Sequence, residues 1–405
     1  MGATQASRRT VAPQPPVHGR RRLETATLYA ASIACYADMY LTQPVLPVLS
    51  REFGLSPARA GLSVSVVVIG VAAASSFYGA LSDVLGRKRV MVGSALLLVV
   101  PTLLCASARS FGELLVLRTV QGLLVPGVTA VSVAYAGDHV DVRRLPAVVG
   151  SLIAASVTGG LTGRVVGGLV ASAAGWRAEF TVFAAVTLAA ALLLAYGLAP
   201  GSVAQRLGWG RAYGGLLRHL GDRRLLGAYL IGLTLMFAWM GVFTFLPYHL
   251  VGPPYRFDTA HVSIVYLVYL AGIAISPVAG RLSGRVSPRV VMAVGLCTAA
   301  AGMGATLVRP LWGITAALVA TSLGMFTTQG VAPGFVNASA PAAKGGANAL
   351  YLMFYYVGGA LGSTLLGFAW QAWGWHGVVG ISVASLGAGL LADLLLCGAP
   401  ARGAR

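Results

Sequence analysis

Charged side chains are scarce. They make up 10% of the 405 residues, against roughly a quarter in soluble domains. With 57% hydrophobic residues and a mean hydropathy of +0.78, this excludes a water-soluble cytosolic enzyme. Lysine is nearly missing, confined to Lys88 and Lys344, so arginine supplies almost all the positive charge. Cysteine is also sparse: Cys35, Cys105, Cys297 and Cys397 lie far apart in apolar segments. They lack the spacing of a metal site or a disulfide framework, and all four are read as small apolar packing residues. No His-Glu-x-x-His sequence and no glycine-rich loop ending in Lys-Ser or Lys-Thr occurs, and the six histidines are scattered. Zinc hydrolysis and direct use of ATP therefore have no support; neither an enzyme, a metal site nor a cofactor is expected.

What the sequence holds in abundance is glycine, 53 residues, which lets membrane helices approach closely, together with long apolar runs. A helix needs about 20 apolar residues to cross a bilayer. Runs of that kind lie near 28–49, 62–81, 90–108, 111–136, 146–171, 179–199, 225–249, 261–281, 290–308, 311–336, 347–370 and 373–397, twelve in all. The first is too long for the core of a signal peptide and is expected to be retained. Residues 1–24, with Arg8, Arg9, Arg20, Arg21 and Arg22, read as a disordered tail. Residues 25–199 and 225–397 read as two six-helix bundles, 200–224 as a cytoplasmic linker and 398–405 as a second tail.

An even number of spans puts both termini on one side. Twenty-one of the 29 basic residues fall on that side and six on the other, so the excess of arginine in the loops places both termini in the cytoplasm of a cell membrane. The net charge of +18 then faces anionic lipid rather than nucleic acid. The partners expected are a lipid bilayer and a small-molecule substrate, the protein being monomeric.

The two halves repeat one another. The stretch Gly79-Ala-Leu-Ser-Asp83-Val-Leu-Gly86-Arg87-Lys88-Arg89-Val90-Met91 recurs 201 positions later, from Gly280 to Met292, with Gly284 in place of the aspartate. Gly159, Gly160, Gly163, Gly168, Gly175 and Trp176 recur 199 positions later at Gly358, Gly359, Gly362, Gly367, Gly374 and Trp375. Two copies of six helices, related in parallel, are the expected consequence.

Four segments resemble the major facilitator superfamily, in its twelve-helix drug:proton antiporter-like branch, and the resemblance runs from Leu28 to Cys397. Gly79-x3-Asp83-x2-Gly86-Arg87-Lys88-Arg89 is similar to the family's loop between the second and third helices. There it acts as a charge latch between states, and glycines permit the tight reversal while Asp83 accepts hydrogen bonds from a helix start or from Arg87. Leu117-Arg118-x2-Gln121-Gly122 is similar to the family's fourth-helix motif, whose arginine is implicated in proton coupling. An arginine inside hydrocarbon must face the interior and find an acceptor, and Asp38, in a Tyr36-Ala-Asp38-Met39-Tyr40-Leu41-x2-Pro44 segment similar to the family's first helix, is the expected partner. A static buried ion pair is the alternative to a proton carrier. The fifth span, with Gly159, Gly163, Gly167 and Gly168, matches the antiporter glycine spacing and is expected to pack on the eighth. Arg164 stands where the family has proline; it serves either as a cationic ligand, for a substrate anion or for Asp38, or as a side chain that snorkels or binds backbone carbonyls near the outer face.

The fold implied is an all-α membrane protein with twelve transmembrane helices in two pseudo-symmetric six-helix bundles. The function implied is secondary active transport, proton-coupled efflux of small organic or drug-like molecules by alternating access, powered by a proton gradient. An importer or uniporter of a metabolite or sugar would use the same fold, and a non-transporting sensor is the alternative of another class. Candidates for the substrate cavity are Tyr40, Gln43, Gln121, Met236, Phe237, Trp239, Met240, Tyr266, Tyr269, Phe326, Gln329, Asn348, Tyr351, Phe354 and Tyr355, a set rich in Met and aromatics that suits hydrophobic compounds. Trp176 is expected to anchor at the membrane interface, and Asp393 is read as interfacial.

Overall fold

The computed structural model describes residues 18–140, 145–199, 219–340 and 344–398. Most of the first tail, the larger part of the 200–224 linker and nearly all of the second tail lie outside these residues. Among the described residues the chain is helical and has no strand. Ten helices are long and apolar enough to cross a membrane, and the last of them, Gly345–Cys397, contains two spans run together. The first span is broken into His18–Tyr40 and Leu46–Phe53, which brings the total to twelve.

The remaining spans of the N-terminal half are Pro57–Leu85, Arg87–Cys105, Phe111–Leu124 continued by Pro126–His139, Leu145–Ala174 and Trp176–Gly197. Those of the C-terminal half are Arg223–Val251, Thr259–Val265 continued through a 3-10 turn into Tyr269–Leu282, Pro288–Ala305, Leu311–Ser339 and Lys344–Ala392, which ends in the π-helical turn Asp393–Cys397. Large apolar side chains such as Leu97, Val116, Leu193, Phe368 and Leu395 are exposed on the flanks, as lipid-facing positions must be in a protein whose outer solvent is hydrocarbon.

Glycine makes the sharpest reversals. Gly175, at φ +86°, turns the fifth span into the sixth, and Gly374, at φ +59°, turns the eleventh into the twelfth. Both positions need a backbone that L side chains rarely adopt, which is why the second repeat register centres on Gly-Trp. The glycines before them do matching work. A Cβ at Gly159 or Gly163 would run into the backbone of Ile33 or Ala37 on the first span, and one at Gly358 or Gly362 into Leu233 or Phe237 on the seventh. Span five therefore packs on span one as span eleven packs on span seven. Gly168 faces the eighth span at Ser263, while Gly167 faces Glu179 of the sixth; the fifth span packs on the eighth as expected and on the first as well.

The hydrogen bonds joining the halves among the described residues all lie between mid-depth and the end opposite the termini. Ser50 pairs with Tyr248 at 2.6 Å, and Ser65 with Ser363 and Thr364 at 2.7 Å each. Glycine at position 61 lets the second span approach the Ser363 carbonyl to 2.5 Å of an added Cβ, and Gly367 does the same against Ala58. At mid-depth Gln43 bonds Thr244 at 2.9 Å, and the Tyr36 and Tyr356 hydroxyls lie 3.4 Å apart. The end away from the termini is thus the closed one.

Candidate functional site

The first span breaks where Pro44, having no N–H, cannot continue the helical ladder. Gln43 N–H turns back to the Tyr40 carbonyl at 3.2 Å, an i to i−3 bond. Carbonyls in the last helical turn, including those of Asp38 and Met39, then need other donors. Arg118, fully buried on the fourth span, supplies them. Its Nη1 donates to the Asp38 carbonyl at 2.7 Å and to Gln121 Oε1 at 2.9 Å, its Nη2 to the Met39 carbonyl at 2.7 Å, and its Nε to the Ser63 carbonyl at 3.1 Å. A cation at the C-terminal end of a helix is also favoured by the helix dipole. Arg118 and Asp38 do meet, as the sequence suggested, but through the aspartate's backbone: the expected side-chain ion pair is replaced by a cap on the broken helix.

The Asp38 carboxyl has different neighbours. Thr187 of the sixth span donates to Oδ2 at 2.7 Å, and Thr102 of the third lies 3.5 Å from the same atom. Gln121 Nε2 in turn donates to Thr102 Oγ1 at 2.7 Å, so a chain of polar groups runs from Asp38 through Thr102 and Gln121 to Arg118. Oδ1 is buried with no hydrogen-bond partner. Thr102 and Thr187 were invisible as functional residues, since a threonine in an apolar run is usually bonded to its own helix, as Thr102 also is to the Leu98 carbonyl at 2.8 Å.

A second buried acid escaped the sequence reading altogether. Glu179, in the first turn of the sixth span, is 0% exposed, and neither carboxyl oxygen has a hydrogen-bond partner. It lies against Gly167 of the fifth span. With only 11 acidic residues in the chain, checking each against the apolar runs would have found it.

Arg164 does not snorkel. It is 2% exposed, its Nη1 donates to the Gly160 carbonyl at 2.7 Å and its Nε to Gln43 Oε1 at 2.5 Å. Its guanidinium carbon lies 4.1 Å from the centre of the Tyr40 ring, 5.0 Å from Tyr269 and 5.6 Å from Tyr266, within cation–π range of all three. Beyond it, Trp239 sits 4.5 Å from Phe243, 4.5 Å from Tyr269 and 5.4 Å from Phe326, ring centre to ring centre. Met236 and Met240 are buried beside them. Tyr351 instead donates to Gln329 Oε1 at 2.7 Å and stacks at 6.1 Å on Tyr355, while Asn348 bonds Asn337 at 2.5 Å. The cavity candidates therefore separate into an Arg164 group at the seam, a Tyr351 group on the tenth and eleventh spans, and Gln121 in the Asp38–Arg118 chain. Phe237 and Phe354 are half-buried, Phe354 packing on Tyr229 at 5.5 Å.

The loop between the second and third spans holds its charges as expected, with one addition. Gly86 turns at φ +91°, Arg87 Nη2 lies 2.6 Å from Asp83 Oδ1, and Arg87 Nε reaches Asp138 at the end of the fourth span at 3.0 Å. Arg87 also contacts the Gly79 carbonyl at 3.4 Å, and Lys88 donates to the Leu198 carbonyl at 2.6 Å. The loop thereby ties together the ends of spans two, three, four and six. In the other copy Arg289 lies 3.9 Å from Asp393 and donates to its carbonyl at 2.9 Å.

Asp393, in the terminal turn of the last span, is buried. Two expectations are corrected. Cys297 is exposed while the other three cysteines are buried. Trp176 is buried against Phe53 and Phe180 and donates to Glu52 at 2.5 Å, so it fastens the sixth span to the end of the first instead of anchoring in the interface. At the start of the eighth span, Asp258 caps the helix by accepting from the His261 N–H at 2.8 Å, and the His261 backbone and ring hold its carboxyl below the usual range.

Comparison with known proteins agrees with this architecture. The family model for the Major Facilitator Superfamily matches residues 28–275. The chain is 32% identical over 359 residues to the uncharacterized MFS-type transporter YybF of Bacillus subtilis, covering 88% of this chain and 89% of that protein. It is 33% identical over 357 residues to the inner membrane transport protein YnfM of Escherichia coli, covering 87% and 85%. Among solved structures, an inward-facing, unoccupied bacterial homologue of the human lysosomal transporter Spinster superposes with a TM-score of 0.79 at 17% identity, over 95% of this chain and 97% of that one. A D-xylose-proton symporter superposes at 0.76 and 17% identity, over 94% and 98%. With a family model spanning more than half its length and transporters of one third identity along most of the rest, the chain belongs to the Major Facilitator Superfamily of multi-pass membrane transporters.

Proposed function

We propose that the protein is a proton-coupled exporter of small, amphipathic organic molecules, seated in the cell membrane with both termini in the cytoplasm. The observation that carries the coupling is Asp38: a fully buried carboxyl, fixed through Oδ2 by Thr187 and open at Oδ1, beside an arginine that never loses its charge. A proton added at Oδ1 removes a charge that Arg118 feels; a proton lost restores it. Arg118 clamps the broken first span to the second and fourth, so protonation acts on the element that joins the site to the seam through Gln43. Residues 25–199 and 225–397 rock against one another with 200–224 as their tether. With the terminal side cytoplasmic, the closed end faces outward, as in the inward-facing neighbour.

The test takes a compound found by an efflux and susceptibility screen in a strain stripped of its own exporters, and follows it in proteoliposomes. An imposed pH gradient should drive its accumulation, and Asp38→Asn should abolish that drive while retaining exchange of the compound across the membrane. Movement indifferent both to the gradient and to Asp38→Asn contradicts proton coupling.

A further inference from the structure

Arg164 is a buried cation that nothing in the described structure neutralises. Arg118 is joined to an acid, Asp38, through Gln121 and Thr102. Among the described residues Arg164 has no acidic partner; its contacts are an amide oxygen, a backbone carbonyl and three tyrosine rings. Neutral dipoles and ring faces solvate a guanidinium but leave its charge in place, and a charge held in low dielectric is costly until an opposite charge joins it. A second group beside it is also unsatisfied. Tyr269, 2% exposed with its ring over Arg164, has a buried hydroxyl with no hydrogen-bond partner. The Tyr266 hydroxyl, by contrast, is spent on the Phe243 carbonyl at 2.8 Å.

A guanidinium without a counter-charge and a tyrosine with an unpartnered buried hydroxyl are thus in ring contact, and the apolar wall beyond them is the Trp239, Phe243 and Phe326 cluster. We propose that Arg164 and Tyr269 bind the acidic group of the substrate, an organic carboxylate whose apolar body rests on that aromatic cluster. Arg164, Tyr40 and Gln43 belong to the N-terminal half, and Tyr266 and Tyr269 to the C-terminal half. Gln43 is itself held across the seam by Thr244 at 2.9 Å and Met240 at 3.8 Å. A carboxylate bound here touches both halves, so its presence shifts the balance between their arrangements by its different affinity for each. A guanidinium suits a planar carboxylate better than an ammonium does, because its donors form a fork.

This inference deepens the transport reading and rests on it for the word substrate, but its test needs no gradient. Equilibrium binding of radiolabelled benzoate, 1-naphthoate and 4-butylbenzoate is measured on the full chain in lipid nanodiscs, against the corresponding amides and benzyltrimethylammonium. At least one carboxylate should bind ten times or more tighter than its amide, with the ammonium ion weaker still. Arg164→Gln should reduce that preference to within twofold, Tyr269→Phe should cut carboxylate affinity several-fold, and Arg164→Lys should restore part of the preference. Should Arg164→Gln fail to fold, Tyr269→Phe and the ranking in the unaltered protein decide. Equal binding of acid and amide, tighter binding of the ammonium ion, absence of saturable carboxylate binding, or a preference that survives Arg164→Gln would each overturn the proposal. Loss of proton-driven flux with the carboxylate preference intact would remove the coupling and leave this site standing.

Discussion

Arg118 satisfies three backbone carbonyls on two spans with a single planar group, something the point charge of lysine cannot do. Arg118→Lys should therefore lower stability in detergent by about 1–3 kcal/mol for each carbonyl left without a donor, read as a fall in apparent melting temperature; an unchanged melting temperature would show that the cap is dispensable. Glu179 offers the opposite case. Its two oxygens lie buried without donors, so Glu179→Met, which keeps the unbranched shape, should raise the melting temperature, by up to about 1–3 kcal/mol of recovered desolvation. At this scale the sequence spoke only in part. Asp38 and Arg118 were legible because charge in an apolar run is expensive, but the aspartate's backbone as acceptor was not, because it depends on how Pro44 breaks the ladder.

At the scale of the helix, glycines decide which spans touch. Gly163→Ala and Gly362→Ala each push a Cβ into a neighbouring backbone, and both should destabilise the protein by at least the about 1–3 kcal/mol typical of overpacking. Gly93→Ala and Gly380→Ala, with open space around the added carbon, should be neutral or slightly stabilising. Thermal unfolding of the four variants side by side checks this; equal behaviour of the two pairs would contradict the close-packing account. The repeat of glycines at a 199-residue interval was readable in the chain; that Gly175 and Gly374 turn at positive φ was not. Which partner each glycine faces was not, because spacing along one helix reports a face and says nothing of what covers it. That is why the first span, besides the expected eighth, proved to be a neighbour of the fifth.

For the whole molecule, twelve spans and two related halves were evident from apolar run length and internal repetition, since the bilayer fixes both the length and the polarity of a span. The closed end was not, because two arrangements of the halves use one sequence and differ by little free energy. Ser65 and Ser363, whose hydroxyls lie 2.7 Å apart across that end, give a handle on it. In a background without native cysteines, Ser65→Cys with Ser363→Cys should cross-link on oxidation and stop transport, and reduction should restore it. Joining that lock to the proton carrier gives the most direct measurement of the account: proton movement, followed with a pH-indicating dye trapped in proteoliposomes, when a transported compound is added. Proton flux should accompany the compound, vanish in Asp38→Asn, and return in the double-cysteine protein only after reduction. Proton flux that persists in Asp38→Asn, or in the oxidised cross-linked protein, would contradict it.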